Sequence, residues 1–174
     1  NWLVQQYGKN RNYKIFCGTG NNGGDGLVIA RMLAENNIPA ETFIIRFSEK
    51  CSEDFITNHQ RLLKIKKIKV YDITATEDIP AIAEKDIVID AILGSGLSKP
   101  LTGGIAAAVI NFINKSNADV IAVDIPSGLF GEDNTGNNGK IIQAKQTLTF
   151  QFPRLSFLFA SNEKYAGNWH VLPI

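Results

Sequence analysis

The chain has 174 residues, of which 44% are hydrophobic and 20% are charged, a composition typical of one ordinary globular domain. Its 18 basic and 17 acidic side chains give a formal net charge of +1, which provides no basic face for a nucleic acid and favours a small-molecule partner. The apolar runs are far shorter than the roughly 20 residues that span a membrane, and the first residues lack a signal-peptide pattern. We therefore expect a soluble, cytoplasmic protein.

Apolar strands and amphipathic helices alternate along the chain. The pattern predicts strands at 13–17, 41–47, 69–73, 87–93, 120–125, 147–152 and 168–174. It predicts helices at 24–37, 53–66 and 104–116, with a further helical piece before residue 87. Such alternation is typical of βαβ units wound right-handed around a sheet. We expect one domain over residues 1–174, a three-layer α/β/α Rossmann-like fold with a mostly parallel central sheet.

Three of the predicted strands run directly into polar, glycine-rich loops, in the segments YKIFCGTGNNGGDG, DIVIDAILGSG and VIAVDIPSG. A strand that is hydrophobic at every position indicates burial on both faces of a parallel sheet, and ligands of such sheets bind outside the carboxyl ends of the strands. The three loops should therefore meet at one crevice. The polar side chains that they would bring there are Asn21, Asn22, Asp25, Asp90, Asp124 and Ser127.

The first of these loops matches a dinucleotide-binding pattern only in part. Residues 18–23 read G-x-G-x-x-G between a strand and a helix, but the next strand ends in Arg46, which suits a 2′-phosphate, where an acidic residue is expected. The fuller motif GNNGGDG predicts that amides at Gly23 and Gly24 approach an anionic ligand at the helix N-terminus. Asp25, in the first turn, would hydrogen-bond the loop or a ribose. The alternative is a tight strand-to-helix turn without a ligand.

The second loop begins at Asp90 and is rich enough in glycine to wrap around a ligand, with Lys99 within it. The Asn22 amide, the Asp90 carboxylate and the Ser127 hydroxyl offer hard oxygen atoms, which suit a hard cation. One carboxylate among neutral oxygens favours a monovalent ion. The alternative for Asp90 is a buried aspartate that accepts backbone amides at the start of the loop.

The third loop follows Asp124, which ends the strand VIAVD and precedes Ile125, Pro126, Ser127 and Gly128. The proline fixes the turn and so holds the carboxylate in place. A partly desolvated carboxylate at the end of a central strand can have its pKa raised into the range of a general acid or base. Asp124 is therefore the candidate catalytic residue. The alternative is a structural aspartate that caps the turn.

Taken together, these residues make the chain similar to the YjeF N-terminal family, the NAD(P)H-hydrate epimerases, over nearly its whole length. The segments CGTGNNGGDGLVIARML, VIDAILGSGL and VIAVDIPSGLFGEDNTG resemble family motifs in the same order and approximate spacing. The resemblance implies one potassium ion held by Asn22, Asp90 and Ser127. It also implies that the substrate is bound by Asn21, Asn22, Gly23, Gly24, Asp25, Gly94, Ser95, Gly96, Leu97, Ser98, Lys99, Pro100 and Asp124.

The resemblance implies a reaction in the repair of nicotinamide cofactors. Members of the family interconvert the R and S forms of hydrated NADH and NADPH, called NADHX and NADPHX, and use no redox cofactor. The added hydroxyl stands beside the ring nitrogen, so protonation allows it to leave as water and gives a flat iminium to which water returns from either face. The proton transfer is assigned to Asp124.

The resemblance also implies a homodimer and cooperation with an ADP- or ATP-dependent dehydratase, to which bacterial members are often fused. Members usually carry further helical sequence before the first strand, which this chain is expected to lack, and the chain ends about where a second domain would begin. Arg154 stands where many relatives have lysine after the proline.

Two other classes of function account for parts of the sequence. A non-catalytic binding module or scaffold would keep the crevice, although the presence of Asp124 favours an enzyme. An NADP-dependent oxidoreductase would use the first loop as a dinucleotide fingerprint with Arg46 on the 2′-phosphate, but it leaves the loops of Asp90 and Asp124 unexplained. A sugar kinase is disfavoured because the P-loop pattern is missing.

Overall fold

The computed structural model describes residues 2–65 and 68–173, and within them seven strands form one sheet. The strands are β1 (Tyr13–Cys17), β2 (Ala40–Ile45), β3 (Lys69–Ile73), β4 (Ile87–Ala91), β5 (Asp119–Val123), β6 (Gln146–Phe150) and β7 (Asn168–Leu172). The helices are α1 (Trp2–Tyr7), α2 (Asn21–Glu35), α3 (Glu53–Leu63), α4 (Gly104–Lys115) and α5 (Glu163–Ala166). Among these residues, no helix combines the length and the apolar character needed to cross a membrane.

All neighbouring strands run parallel, in the order β3-β2-β1-β4-β5-β6-β7. Strands β1 and β4 are buried at every position because helices cover both faces of the sheet there. On one face, Ile15 of β1 packs in a core with α1, α2 and α3. On the other face, Phe16 packs in a second core with Val109 of α4. The predicted three-layer α/β/α fold is confirmed.

The three strands that carry the candidate site are neighbours. Strand β4 pairs with β1 on one side, where Asp90 lies opposite Phe16, and with β5 on the other, where Asp90 lies opposite Ala122. The chain leaves β1 through α2 toward β2, away from β4, so the order of the strands reverses between β1 and β4. In open parallel sheets a ligand crevice forms at such a reversal.

Several predicted element bounds differ from the structure, most of them by one or two residues. Helix α2 begins at Asn21, so Asp25 lies in its second turn rather than its first. The helical piece predicted before β4 is wrong, because residues 74–86, all of which the structure describes, contain only a short 3₁₀ turn at Thr76–Asp78. Helix α3 ends at Leu63, and the last predicted residue of that helix, Lys66, lies outside the described residues.

Candidate active site

A cavity of about 870 Å³ opens at the carboxyl ends of β2, β1, β4, β5 and β6, and its size suits a small-molecule ligand. Eight of the residues assigned to the substrate line it: Asn21, Asn22, Asp25, Gly94, Ser95, Gly96, Leu97 and Asp124. The other five, Gly23, Gly24, Ser98, Lys99 and Pro100, do not line it.

The adjacent glycines of the first loop serve helix packing. A side chain at Gly23 would clash with the carbonyl oxygen of Gly18, and one at Gly24 would lie 3.2 Å from the backbone nitrogen of Phe55 at the start of α3. The amide of Gly24 also makes the first helical hydrogen bond of α2, to the carbonyl of Gly20 at 3.0 Å. The amides of residues 21–23 precede this bond and have no acceptor within the helix, so they are available to an anionic ligand at the helix N-terminus.

Asp124 lies in a left-handed backbone conformation, which few residues other than glycine adopt. Its φ of 65° falls in the left-handed region, and its amide donates to the carbonyl of Leu148 in β6 at 2.8 Å. Gln151, which follows β6 and also lines the cavity, has a φ of 61°. Left-handed backbone at residues other than glycine is unfavourable and concentrates at functional sites. Asp124 and Gln151 therefore indicate that this end of the cavity is functional.

The carboxylate of Asp124 is held by an arginine. Asp124 is 9% exposed, and its Oδ1 accepts a hydrogen bond from Nη2 of Arg154 at 2.6 Å. Its other oxygen, Oδ2, lies toward Gly94, where an added Cβ would be 3.8 Å from Oδ2 and 3.3 Å from the Cβ of Asn22. The absent side chain of Gly94 therefore leaves room between Asp124 and the start of α2.

The sequence patterns assign Arg154 no role in the site. It belongs to the segment after β6, the strand next to β5, and it lines the same cavity as Asp124. The rule that placed Asp90 and Asp124 at the carboxyl ends of parallel strands also applies to the end of β6. A basic residue shortly after that strand was the signal that could have identified it.

Asp25 is a second carboxyl group in the cavity, with a different environment. Its surface opens into the cavity, and loss of hydration, followed by repulsion from Asp124 and from Asp54, raises its pKa to about 6. Asp124 has an arginine beside it, whereas the charged groups that act on Asp25 are both carboxylates. The two aspartates thus differ in electrostatic environment. Such a difference is typical of pairs of carboxyl groups in which one acts as an acid and the other as a base.

Asp90 is fully buried beneath the loops. Its Oδ2 accepts the amide of Ser127 at 2.8 Å, and its Oδ1 accepts the hydroxyl of Ser127 at 2.6 Å and the amide of Ile92 at 3.3 Å. Burial raises the pKa of Asp90 to about 6, although these hydrogen bonds act in the opposite direction. The bonds match the alternative of a buried aspartate that accepts backbone amides, and they also hold the β4 and β5 loops together.

Asn22 presents a buried oxygen that lacks a partner. Its Nδ2 donates to the carbonyl of Leu93 at 2.9 Å, while its Oδ1 makes no hydrogen bond. The hydroxyl of Ser127 lies 3.2 Å from the same carbonyl, so Leu93 joins Asn22 to the cluster of Ser127 and Asp90. A buried acceptor without a partner costs about 1–3 kcal/mol.

These oxygen atoms fit a monovalent cation. The unpartnered Oδ1 of Asn22, the Leu93 carbonyl, the Ser127 hydroxyl and one carboxylate, that of Asp90, are hard donors. Among the described residues, no group of three or more His, Cys, Asp or Glu side chains could hold a metal ion. Hard oxygen atoms with a single carboxylate are donors that suit a monovalent cation such as potassium.

Arg46, which the oxidoreductase alternative places on a 2′-phosphate, is engaged within the protein. Its Nε donates to Oδ1 of Asp72 on β3 at 2.7 Å, and its guanidinium lies 5.9 Å from the ring centre of Phe55. Arg46 does not line the cavity. Its contacts favour a structural role at the edge of the sheet.

The sequence matches the family model described as YjeF-related protein N-terminus over residues 1–156. An NAD(P)H-hydrate epimerase of Oenococcus oeni is 34% identical over 88% of this chain and 69% of its own length. One of Levilactobacillus brevis is 32% identical over 92% of this chain and 71% of its own length. A bifunctional NAD(P)H-hydrate repair enzyme of Moorella thermoacetica is 39% identical over 95% of this chain, which spans only 31% of that protein.

Among solved structures, the crystal structure of the yeast protein YNL200c is similar, with a TM-score of 0.73. The similarity covers 98% of this chain and 72% of the yeast chain. Because the two sequences are 20% identical, the similarity concerns the fold.

Proposed function

The chain belongs to the YjeF-related protein N-terminus family, and from this membership we propose that it interconverts the R and S forms of hydrated NADH and NADPH. Relatives that are 32%, 34% and 39% identical are named as NAD(P)H-hydrate epimerases or as a bifunctional repair enzyme. The structural observation that carries the proposal is the carboxylate of Asp124, which accepts a hydrogen bond from Arg154 in a cavity that is also lined by the N-terminus of α2.

The proposed chemistry needs one proton carrier and no redox step. The hydroxyl of the substrate stands on the ring carbon next to the nitrogen. When the carboxyl of Asp124 protonates this hydroxyl, the C–O bond breaks, water leaves, and the nitrogen lone pair forms a C=N bond, which gives a flat iminium. Water then adds to the other face, the C–O bond re-forms, and Asp124 takes back the proton. Atoms and charge balance over the cycle, and water is only exchanged.

Arg154 and Asp25 support this role in different ways. The hydrogen bond from Arg154 holds Oδ1 of Asp124 and leaves Oδ2, on the side of Gly94, as the oxygen that carries the proton. After the proton has moved to the leaving water, the negative carboxylate faces the positive iminium, which this charge stabilises. The neighbouring carboxyl of Asp25 adds to the negative field, because it lies near enough to Asp124 to be repelled by it.

Substrate binding is proposed to use the helix end and the β4 loop. The amides of residues 21–23 and the dipole of α2 favour the pyrophosphate. Asp25 bonds a ribose hydroxyl. Loop residues 94–97 line the cavity, and Ser98, Lys99 and Pro100 extend the loop as exposed residues that can contact the substrate from the rim.

A potassium ion is proposed to bind Asn22, Asp90 and Ser127, with the Leu93 carbonyl as a further oxygen. The unpartnered Oδ1 of Asn22 supports this proposal. When bound, the ion supplies positive charge that balances the buried carboxylate of Asp90 and links the loops after β1, β4 and β5. Asp90 and Ser127 then hold the loop after β5, and with it Asp124, in a fixed position relative to α2.

We further propose that the epimerase works beside a dehydratase and forms a homodimer. The first proposal is supported by the bifunctional repair enzyme, in which the match to this chain takes up only 31% of the length. The second rests on the resemblance to the family. Light scattering during gel filtration measures the oligomeric state directly.

The function is tested by adding the purified protein to R-NADHX and following the formation of the S form by chiral separation. Acceleration over a sample without protein supports the proposal. Binding of NADHX without acceleration would instead favour a non-catalytic binding module.

A further inference from the structure

Two exposed phenylalanine residues, from the segments after β2 and after β6, line the cavity. Phe152 is 74% exposed and Phe47 is 38% exposed, and both line the cavity. An aromatic ring left in water loses the stabilisation that burial would provide, and single exposed rings on a protein surface are ordinary. Two such rings in one ligand cavity are more informative, because planar ligand rings stack on aromatic side chains.

The Phe47 ring reaches over the end of β1, because a Cβ added to Gly18, the residue after β1, would lie 3.2 Å from Cε1 of Phe47. Phe152 follows β6, and the ends of β4 and β5 lie between β1 and β6. Neighbouring strands are about 4.8 Å apart, so three steps across the sheet give about 14 Å between the ends of β1 and β6. This is the scale of an extended dinucleotide, which has one ring system at each end and a pyrophosphate between them.

Two parts of the cavity carry matching chemistry. The amides at the N-terminus of α2 follow β1, near the Phe47 ring, and suit the pyrophosphate. Asp124 and Arg154 follow β5 and β6, at the end where Phe152 lies. The cavity is therefore asymmetric, because Asp124, the proposed proton carrier, belongs to the end where Phe152 lies.

We propose that Phe47 stacks on the adenine ring and that Phe152 packs against the hydrated nicotinamide ring, so that the two residues fix the direction in which the substrate lies. This inference rests on the proposed function, because it takes hydrated NAD(P)H as the ligand. Phe152 packs against the face of the nicotinamide ring and positions that ring beside Asp124. Phe47 contributes affinity away from the reacting carbon.

Isothermal titration calorimetry with two ligands distinguishes the contribution of Phe47 to binding from that of Phe152. ADP-ribose contains the adenine and the pyrophosphate but lacks the nicotinamide, whereas NADHX contains both rings. We expect Phe47→Ala to weaken both ligands by roughly tenfold, the scale of one lost base stack. We expect Phe152→Ala to weaken NADHX by a similar factor and to leave ADP-ribose unchanged. Phe47→Tyr, which keeps a ring, should retain affinity for ADP-ribose.

Matched controls are available for each ring. Phe159 is 47% exposed in the same segment as Phe152, and Phe112 on α4 is 39% exposed, as Phe47 is, and neither lines the cavity. Phe159→Ala and Phe112→Ala should bind both ligands as the unmodified protein does. Because all four side chains are exposed, the thermal midpoints should stay close to that of the unmodified protein.

The possible results distinguish this inference from the function on which it rests. Loss of ADP-ribose affinity in Phe152→Ala but not in Phe47→Ala would reverse the direction of the substrate and overturn the inference. Variants that match their controls would also overturn it. An unmodified protein that binds NADHX, follows the expected pattern and yet fails to epimerise it would refute the proposed function alone. Failure to bind either ligand would refute both.

Discussion

Nη2 of Arg154 donates a 2.6 Å hydrogen bond to Oδ1 of Asp124, across the gap between the loops that follow β5 and β6. The bond fixes the rotation of a carboxylate whose backbone is already held in the left-handed region, at a φ of 65°. Two constraints from different strands therefore determine where Oδ2 lies. A proton carrier works best when it is held in place before the substrate arrives.

Removal of this bond should reduce turnover more than stability. Arg154→Met keeps the apolar stem but loses the charge, so we expect kcat to fall at least tenfold, the effect of a misplaced catalytic group, with a similar thermal midpoint because Arg154 is partly exposed. Arg154→Lys keeps one charged donor and should retain part of the activity. Lys145→Met removes an exposed pair with Asp119 and serves as the control. Full activity in Arg154→Met would contradict this role.

Substitution of two glycines in the first loop should distinguish a role in packing from a role in ligand binding. In Gly23→Ala the new Cβ meets the backbone of Gly18, so we expect a loss of about 1–3 kcal/mol in the free energy of unfolding. Gly20 lines the cavity, and an added Cβ there meets nothing within 4 Å. Because Gly20 is the N-cap of α2, Gly20→Ala should lose some stability, but less than Gly23→Ala, while weakening substrate binding. Urea unfolding measures the free energy of unfolding of both variants. Equal stability of the two variants would contradict the packing role of Gly23.

Potassium should stabilise the folded protein. A ligand that binds only the native state raises the thermal midpoint, so we expect a higher midpoint in potassium chloride than in sodium chloride at equal ionic strength. Asn22→Ala should abolish this difference. Asn58→Ala is a matched control, because Asn58 also has a buried oxygen without a partner but lies on α3, away from Asp90. A potassium effect that survives in Asn22→Ala would exclude the proposed donor set.

Asp25 should make stability decrease as the pH rises. Its pKa is raised from 3.8 to about 6 in the folded state by lost hydration and by Asp124 and Asp54. Between these two values the folded protein binds more protons than the unfolded chain, so stability is lost as the pH increases through this window.

The variant Asp25→Asn cannot ionise, so its stability relative to the unmodified protein should increase from pH 3.8 to about 6 and then level off. Thermal unfolding across this range measures the difference. Asp133→Asn is the control, because the amide and hydroxyl of Thr135 lower the pKa of Asp133 and its removal should give no such increase. A flat difference for Asp25→Asn would show that the cavity does not perturb this group.

The fold and the meeting of the three loops could be predicted because the information lies in residue type and order. Strands such as β1 and β4 are apolar at every position, and this pattern indicates the middle of a parallel sheet. The sequence pattern places the start of α2 too late, at residue 24, because glycine is unfavourable in helices by about 1 kcal/mol. In the structure, tight packing of Gly23 on Gly18 requires glycine there and outweighs that preference.

Two components of the site depend on contacts that a single sequence does not display. The Leu93 carbonyl joins the oxygen cluster through its backbone, so its residue type carries no sign of the role. The pairing of Arg154 with Asp124 depends on β6 lying beside β5, which in turn depends on how residues 124–145 return to the sheet without a helix. That connection is irregular, and its path follows from turns and side-chain bonds such as those of Asn137.

The central claim is that Asp124 carries the proton in the interconversion of R- and S-NADHX. Asn is the appropriate replacement, because it tolerates the left-handed backbone of this position and keeps the shape of the side chain. The most direct measurement is the rate of formation of S-NADHX from R-NADHX, followed by chiral separation, for the unmodified protein and Asp124→Asn in potassium and in sodium. We predict potassium-dependent acceleration by the unmodified protein, and for Asp124→Asn only the rate without protein, with NADHX affinity retained. Turnover by a folded Asp124→Asn protein at a rate near that of the unmodified protein would contradict the claim.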